Sequence, residues 1–203
     1  MRIGVLGGTF DPIHVGHIAA ARVAMECAQL DRVLFVPSAT PPHREPAVAG
    51  PLQRLEMTRQ AIAGEPRFDA SDVEISRGGK SFTSDTISAL HGLYADDELF
   101  LILGWDAARL FHTWHMPKEI ERLASVVVVS RPGVDGPHPA ELRAAGLDPE
   151  RTVVCRGRTP DISGSELRDA IARGEAVAEW LPAPVARYIA EQALYMDNRQ
   201  VGC

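Results

Sequence analysis

The stretch Ile3-Gly4-Val5-Leu6-Gly7-Gly8-Thr9-Phe10-Asp11-Pro12-Ile13-His14-Val15-Gly16-His17 decides the fold. Ile3–Leu6 is a short apolar run of the strand type, stopped at once by a Gly-Gly-Thr turn. Two glycines after a buried strand let the backbone turn sharply and let a ligand approach with no Cβ in the way. Asp11 followed by Pro12 predicts a cap and a helix start. His14 and His17, three residues apart, then share one face of the first turn. Two imidazoles and unpaired backbone N–H groups converge there on the positive end of a helix, which is a phosphate site. Taken singly, Gly-Gly is a tight turn and either histidine a surface residue. It is the whole run, placed directly after a strand, that points to chemistry.

Outward from this segment the same alternation repeats. Strand-like runs are predicted at Ile3–Leu6, Val33–Val36, Val73–Ile75, Leu99–Leu103, Val126–Val129 and Thr152–Cys155. Helical patterns lie between them near 16–29, 52–63, 84–94, 117–123 and 164–173, with a last one near 183–194. Short apolar strands separated by helices are βαβ units on a sheet covered on both faces. With right-handed crossovers the fold class is α/β, a doubly wound, mostly parallel sheet with helices on both faces and a small C-terminal helical segment. Ligands of such sheets bind beyond the carboxyl ends of the strands, where strand order reverses. Two long loops, Pro37–Pro51 and Arg131–Pro139, follow the second and fifth strands. Neither is an interdomain linker, because the alternation resumes directly after each, and no repeat or low-complexity segment is present.

The chain has 203 residues, which favours one domain spanning 1–203, its C-terminal helical segment covering about 163–195. Hydrophobic residues make up 45% and charged residues 24%, ordinary globular usage. With 21 basic against 27 acidic residues the net charge is -6, which argues against a nucleic-acid partner. Cys27, Cys155 and Cys203 follow no ligand spacing, and an odd, sparse set predicts no disulfide framework and a reducing compartment. The apolar run after Met1-Arg2 is too short for a secretion signal, and no stretch reaches the roughly 18 apolar residues of a membrane helix. A soluble cytoplasmic protein with no membrane partner is expected. The sequence leaves the oligomeric state open, a homo-oligomer included.

Other segments carry candidate chemistry. Ser163 and Glu166 form a capping box at the start of the 164–173 helix, a common device that needs no further role. Arg168 lies one turn in, on the side of Ser165, and an arginine there suits bidentate phosphate contact. Asp106, just after Gly104, sits where a carboxylate accepts a ribose hydroxyl or caps a helix. Trp114 is a core candidate first, since an indole buries much apolar area. Thr83 opens a helix, and helix starts bind anions. Gly79-Lys80-Ser81 looks like the end of a P-loop, but Glu74 stands where the first glycine belongs. GxGxxG is absent as well. His112/His115 and His14/His17 each have a zinc-compatible spacing without a second pair of ligands, so no structural metal is expected. His91 and His138 read as surface residues.

GGTFDPIHVGH resembles the signature of the nucleotidyltransferase superfamily marked by (H/T)xGH, here His14-Val15-Gly16-His17. Within it the chain is similar to the nicotinate-nucleotide adenylyltransferases of bacterial NAD synthesis. Pro37-Ser38-Ala39-Thr40-Pro41-Pro42-His43-Arg44 resembles their PxxxPPHK/R loop and Ser81-Phe82-Thr83-Ser84-Asp85-Thr86 their SYTxxT segment. Gly104-Trp105-Asp106 matches GxD, Thr113-Trp114 the tryptophan segment, and Ser130-Arg131-Pro132-Gly133 the RPG turn. Ile162–Arg168 resembles ISxTxIR, and Leu181-Pro182, Tyr188-Ile189 and Leu194-Tyr195 the closing helix. The blocks run in family order from residue 7 to 195. Ser165 departs from the usual threonine but keeps the hydroxyl; Phe82 departs from the usual tyrosine and keeps only the ring.

The resemblance implies a Rossmann-like nucleotidyltransferase fold and transfer of AMP from ATP to nicotinate mononucleotide, giving deamido-NAD and pyrophosphate. It assigns ATP binding to Gly7, Gly8, Thr9, Phe10, His14, His17, Gly104, Asp106, Ile162, Ser163, Ser165 and Arg168, with His14, His17 and Arg168 catalytic. It assigns the acceptor to His43, Arg44, Phe82, Thr83, Trp114, His115 and Arg131, Trp114 stacking on the nicotinate ring. Mg²⁺ is implied as a companion of ATP, held mainly by phosphate oxygens and water. Sister enzymes acting on nicotinamide mononucleotide, phosphopantetheine or glycerol phosphate are the alternatives, followed by a nucleotide-binding module without turnover. An aminoacyl-tRNA synthetase fragment predicts a Lys-rich KMSKS-like loop, which the chain lacks.

Overall fold

A computed structural model describes residues 1–41, 46–130, 136–157 and 159–196. Its strands are β1 (Arg2–Gly8), β2 (Arg32–Pro37), β3 (Phe68–Ala70), β4 (Glu98–Gly104), β5 (Ala124–Ser130) and β6 (Thr152–Arg156). The helices are α1 (Val15–Cys27), α2 (Pro51–Ile62), α3 (Val73–Arg77), α4 (Thr83–Leu93), α5 (Trp105–Ala108), α6 (Pro117–Leu123), α7 (Pro139–Ala144), α8 (Gly164–Ala172) and α9 (Ala183–Glu191). One turn of 3₁₀ helix spans Phe111–Thr113.

All strand pairs are parallel, in the order β3-β2-β1-β4-β5-β6. Strand order therefore reverses between β1 and β4, and the crevice beyond their carboxyl ends opens at Gly7–Gly8 and Gly104. The strands read as unbroken apolar runs because both faces are covered. Ile3 and Val5 join Leu34, Leu101 and Val128 against α4, α6 and α7. Leu6 joins Phe35, Ile102 and Val127 against α1, α2, α8 and α9. Each such side chain, fully buried, contributes roughly 1.5–3 kcal/mol of transfer free energy. Gly4 belongs to the second face, where a Cβ would lie 2.7 Å from Leu30 Cδ1 and 2.8 Å from Ile102 Cδ1. Its absence lets those two side chains close over the strand. The C-terminal helices share this core through Leu167, Leu181, Val185 and Ile189.

Three expectations are corrected. Val73–Ile75 is not a strand: it lies in α3, and the third strand is Phe68–Ala70, paired with β2 over three residues. Alternation over three residues fits one helical turn as well as a strand, and the residue α3 buries is Glu74, not a valine or isoleucine. Asp11 does not cap the first helix; α1 begins at Val15 with His14 as N-cap, after a cis Asp11–Pro12 peptide. Cys27 and Cys155 are joined in a disulfide, their Cα atoms 5.8 Å apart across a sequence separation of 128. α1 packs against β5 and β6, which brings its last residue to β6, a proximity that sequence spacing does not encode.

Candidate active site

The turn from Gly7 to His14 leaves β1 at the crevice and doubles back into α1. Phe10 holds a left-handed backbone (φ 50) and puts its ring in the core, edge-on to His17 at 4.9 Å and against Phe35. Its side chain is thereby taken up by packing, under the histidine. Gly7, Gly8 and Thr9 remain on the accessible side of the turn.

The two histidine rings lie face to face, centroids 3.7 Å apart and planes inclined by 30°. The His14 backbone N–H donates to His17 Nδ1 at 3.3 Å. An accepting Nδ1 places the proton of neutral His17 on Nε2, which makes that nitrogen a donor. His14 is 5% exposed, and its Nδ1 is buried with no hydrogen-bond partner among the described residues. Burial pushes its pKa down to about 4, so it is neutral at physiological pH. Gly16 makes this stacking feasible, because a Cβ there would lie 3.0 Å from His14 Nδ1.

The start of α8 closes on the same turn. A Cβ on Gly164 would stand 3.1 Å from the Asp11 carbonyl oxygen, and one on Gly16 3.4 Å from Ile162 Cγ2. Arg168 Nη1 donates to the Asp11 carbonyl oxygen at 2.8 Å. Ser163 Oγ accepts from the Glu166 N–H (3.2 Å) and donates to Glu166 Oε2 (2.7 Å), while the Ser163 N–H donates to the same oxygen (3.0 Å). Ser165 Oγ is 3.2 Å from Ser163 Oγ. The residues predicted to hold phosphate, from the β1 turn and from the 162–168 segment, are thus brought into contact. Two imidazoles, a guanidinium and a helix N-terminus brought together in this way can stabilise phosphate charge.

Of the other predicted residues, Phe82 and His115 are in contact with each other. Thr83 is the first residue of α4, with Phe82 at its N-cap. The Phe82 ring stacks with His115 at 4.5 Å, and Trp114, half-buried, packs on Phe111 at 5.5 Å. Asp106 sits in the first turn of α5, 3.9 Å from Arg109, with Gly104 as the N-cap. His43, Arg44 and Arg131 lie outside the described residues. His91 and His138 are exposed, His138 at the N-cap of α7.

Sequence reasoning missed the residues underneath. Arg54, 1% exposed, donates to the carbonyl oxygens of Thr9 (2.6 Å), Ser38 (2.7 Å), Ala39 (3.2 Å) and Ala49 (3.1 Å). It clamps the turn after β1, the turn after β2 and the entry to α2. Burial lowers its pKa, opposed by Asp11, Tyr195 and Glu74. A signal existed: Arg54 shares the buried stripe of α2 with Met57 and Thr58, an unusual register for a charge. Glu74, also buried, accepts from the Thr86 hydroxyl at 2.5 Å, tying α3 to the helix that Thr83 opens.

A six-stranded parallel sheet of this order, with HxGH at its switch point, defines an α/β nucleotidyltransferase. The family described as cytidylyltransferase-like matches residues 5–170, and the chain belongs to it. Within that class the similarity runs to the nicotinate-nucleotide adenylyltransferases. The probable nicotinate-nucleotide adenylyltransferase of Thermus thermophilus is 43% identical over 195 residues, 96% of this chain and 100% of that protein. Its counterpart in Citrifermentans bemidjiense is 40% identical over 218 residues, 98% and 100% of the two chains. The solved structure of Plasmodium falciparum nicotinic acid mononucleotide adenylyltransferase complexed with NaAD superposes with a TM-score of 0.78 over 96% of this chain and 97% of that one. At 16% identity that likeness is one of fold.

Proposed function

We propose that this protein transfers the adenylyl group of ATP to nicotinate mononucleotide, forming deamido-NAD and releasing pyrophosphate in NAD biosynthesis. The observation that carries the reading is the contact between the His14–His17 turn and the start of α8 through Arg168 and Asp11, in a chain similar over its length to adenylyltransferases of this acceptor.

The acceptor's phosphate oxygen is already anionic at neutral pH and attacks the α-phosphorus of ATP in line, while the bond to the pyrophosphate oxygen breaks. No side-chain nucleophile is required, so the protein's task is positioning and charge stabilisation. His17, through Nε2–H, and Arg168, through its outward N–H groups, hold the phosphates. His14, neutral, offers a buried ring nitrogen, Nδ1, that is unpaired among the described residues. Backbone N–H groups at the start of α8 add the helix-terminal field. At the acceptor end the Thr83 helix start takes the ring carboxylate, and Phe82, His115 and Trp114 present ring faces and edges to the pyridine. Asp106 is assigned to the ATP ribose.

Among the described residues no three His, Cys, Asp or Glu side chains cluster to cage a cation. Mg²⁺, a companion of ATP, would ride on the triphosphate and screen its charge. ATP supply points to the cytoplasm as the working compartment, and no helix among the described residues is long and apolar enough to cross a membrane.

A pyrophosphate-release assay with ATP and nicotinate mononucleotide, nicotinamide mononucleotide or phosphopantetheine tests the reading. Preference for the nicotinate form is expected, and preference for either of the others overturns the substrate assignment.

A further inference from the structure

Asp11 belongs to the signature turn, yet its carboxylate faces the interior and is 6% exposed. Oδ1 accepts from the Tyr195 hydroxyl at 2.7 Å and from the Ala49 N–H at 3.0 Å. Oδ2 accepts from the Val48 N–H at 2.8 Å and lies 3.7 Å from Arg168 Nη1. That same Nη1 donates to the main-chain oxygen of Asp11. Among the described residues Arg168 makes no other hydrogen bond.

Tyr195 reaches this point from the chain's far end, 184 residues away. It is 8% exposed and sits at φ 64, just after Ala193 at φ 49. Left-handed backbone at a bulky residue is costly and persists only where the surroundings over-determine it. What fixes it here is the buried ring and its bond to Asp11.

We propose that Tyr195 is a positioning residue for triphosphate binding: by occupying Asp11 Oδ1, its hydroxyl keeps the Asp11 carboxylate from closing on Arg168, so that the guanidinium stays turned toward the cleft. The physical basis is competition. Without the Tyr195 hydroxyl Oδ1 keeps only the Ala49 N–H, and the carboxylate, whose torsion is broad, can tighten the 3.7 Å approach of Oδ2 to Arg168 Nη1. Arg168 would then form a tight pair with Asp11, and phosphate would have to displace it. The inference rests on Arg168 as a phosphate ligand, part of the function proposed above.

The test is the affinity for ATP alone, by calorimetry, in wild type, Tyr195→Phe, Arg168→Ala and the double variant. Y195F is expected to weaken ATP binding by about five- to tenfold, the net scale of one ordinary hydrogen bond, with the KM for the acceptor moving less than about twofold. In the R168A background Y195F should add less than about twofold, because coupled sites are not additive. Unchanged affinity in Y195F, or a full effect without Arg168, overturns the inference and marks Tyr195 as a packing residue. If Y195F does not fold, the hydroxyl proton of Tyr195 in the wild type carries the test: ATP should shift its magnetic resonance signal, and an unmoved signal overturns the proposal. A wild type that binds no ATP at all would overturn the functional reading instead.

Discussion

The two halves of the carboxyl edge are built on different principles. At the half proposed to hold phosphate, residues 7–17 are pinned by interior bonds, and the 162–168 segment is tied to them through Arg168: Arg54 holds the turns from below, Asp11 is bonded on both carboxylate oxygens, and His14 is buried. At the half proposed to hold the acceptor, Phe82, Thr83, Trp114 and His115 are half-buried or exposed, Phe82 in ring contact with His115 and Trp114 with Phe111. Phosphate chemistry needs donors held rigidly before substrate arrives, since reorganisation would consume the stabilisation they give. Recognition of a flat ring needs only apolar faces and a few backbone donors. Damage to the first half should therefore appear in kcat, and damage to the second in acceptor KM.

His17→Ala is the sharpest test of that division. It should lower kcat by roughly 10²–10³-fold, the loss of one preorganised donor, with acceptor KM little changed. Activity within about threefold of wild type would remove His17 from the mechanism. The next effect concerns His14 and is read in stability. Its native pKa of about 4 lies below the ordinary 6.5, so the unfolded chain binds the extra proton between those values. Stability is therefore complete above about pH 6.5 and lost as pH falls toward 4, by about 3 kcal/mol for a shift of this size. Denaturant titrations at pH 7 and 4.5 should show that loss in wild type and a smaller one in His14→Asn; identical pH slopes would contradict burial as the cause. Smallest is Trp114→Ala, expected to raise acceptor KM about tenfold through lost ring contact, with ATP affinity unchanged. A fall in kcat without a KM change would break the comparison.

The five longer strands were readable because a parallel strand covered on both faces is a continuous apolar run, as Val126–Val129 is. β3, three residues long, gives no run to read, and α3 mimicked the missing strand through Val73 and Ile75. The histidine turn and the Ser163 box were legible because each is a local pattern. Asp11 was misread as a helix cap, since its real partners are Val48, Ala49 and Tyr195, from two other parts of the chain. Arg54 was passed over because four backbone carbonyls leave no trace in side-chain identity.

The sequence alone determined the alternating α/β order, the glycine turn with its two histidines, and the capping box beside Arg168, because each depends on neighbours within a turn or two of chain. Tertiary structure decided which of these segments touch: Arg168 against Asp11, Tyr195 beneath both, Cys27 against Cys155. Those pairings follow from how helices cross the sheet and from which buried polar atoms must find partners. Both are conditions on the packed whole, and no spacing along the chain expresses them.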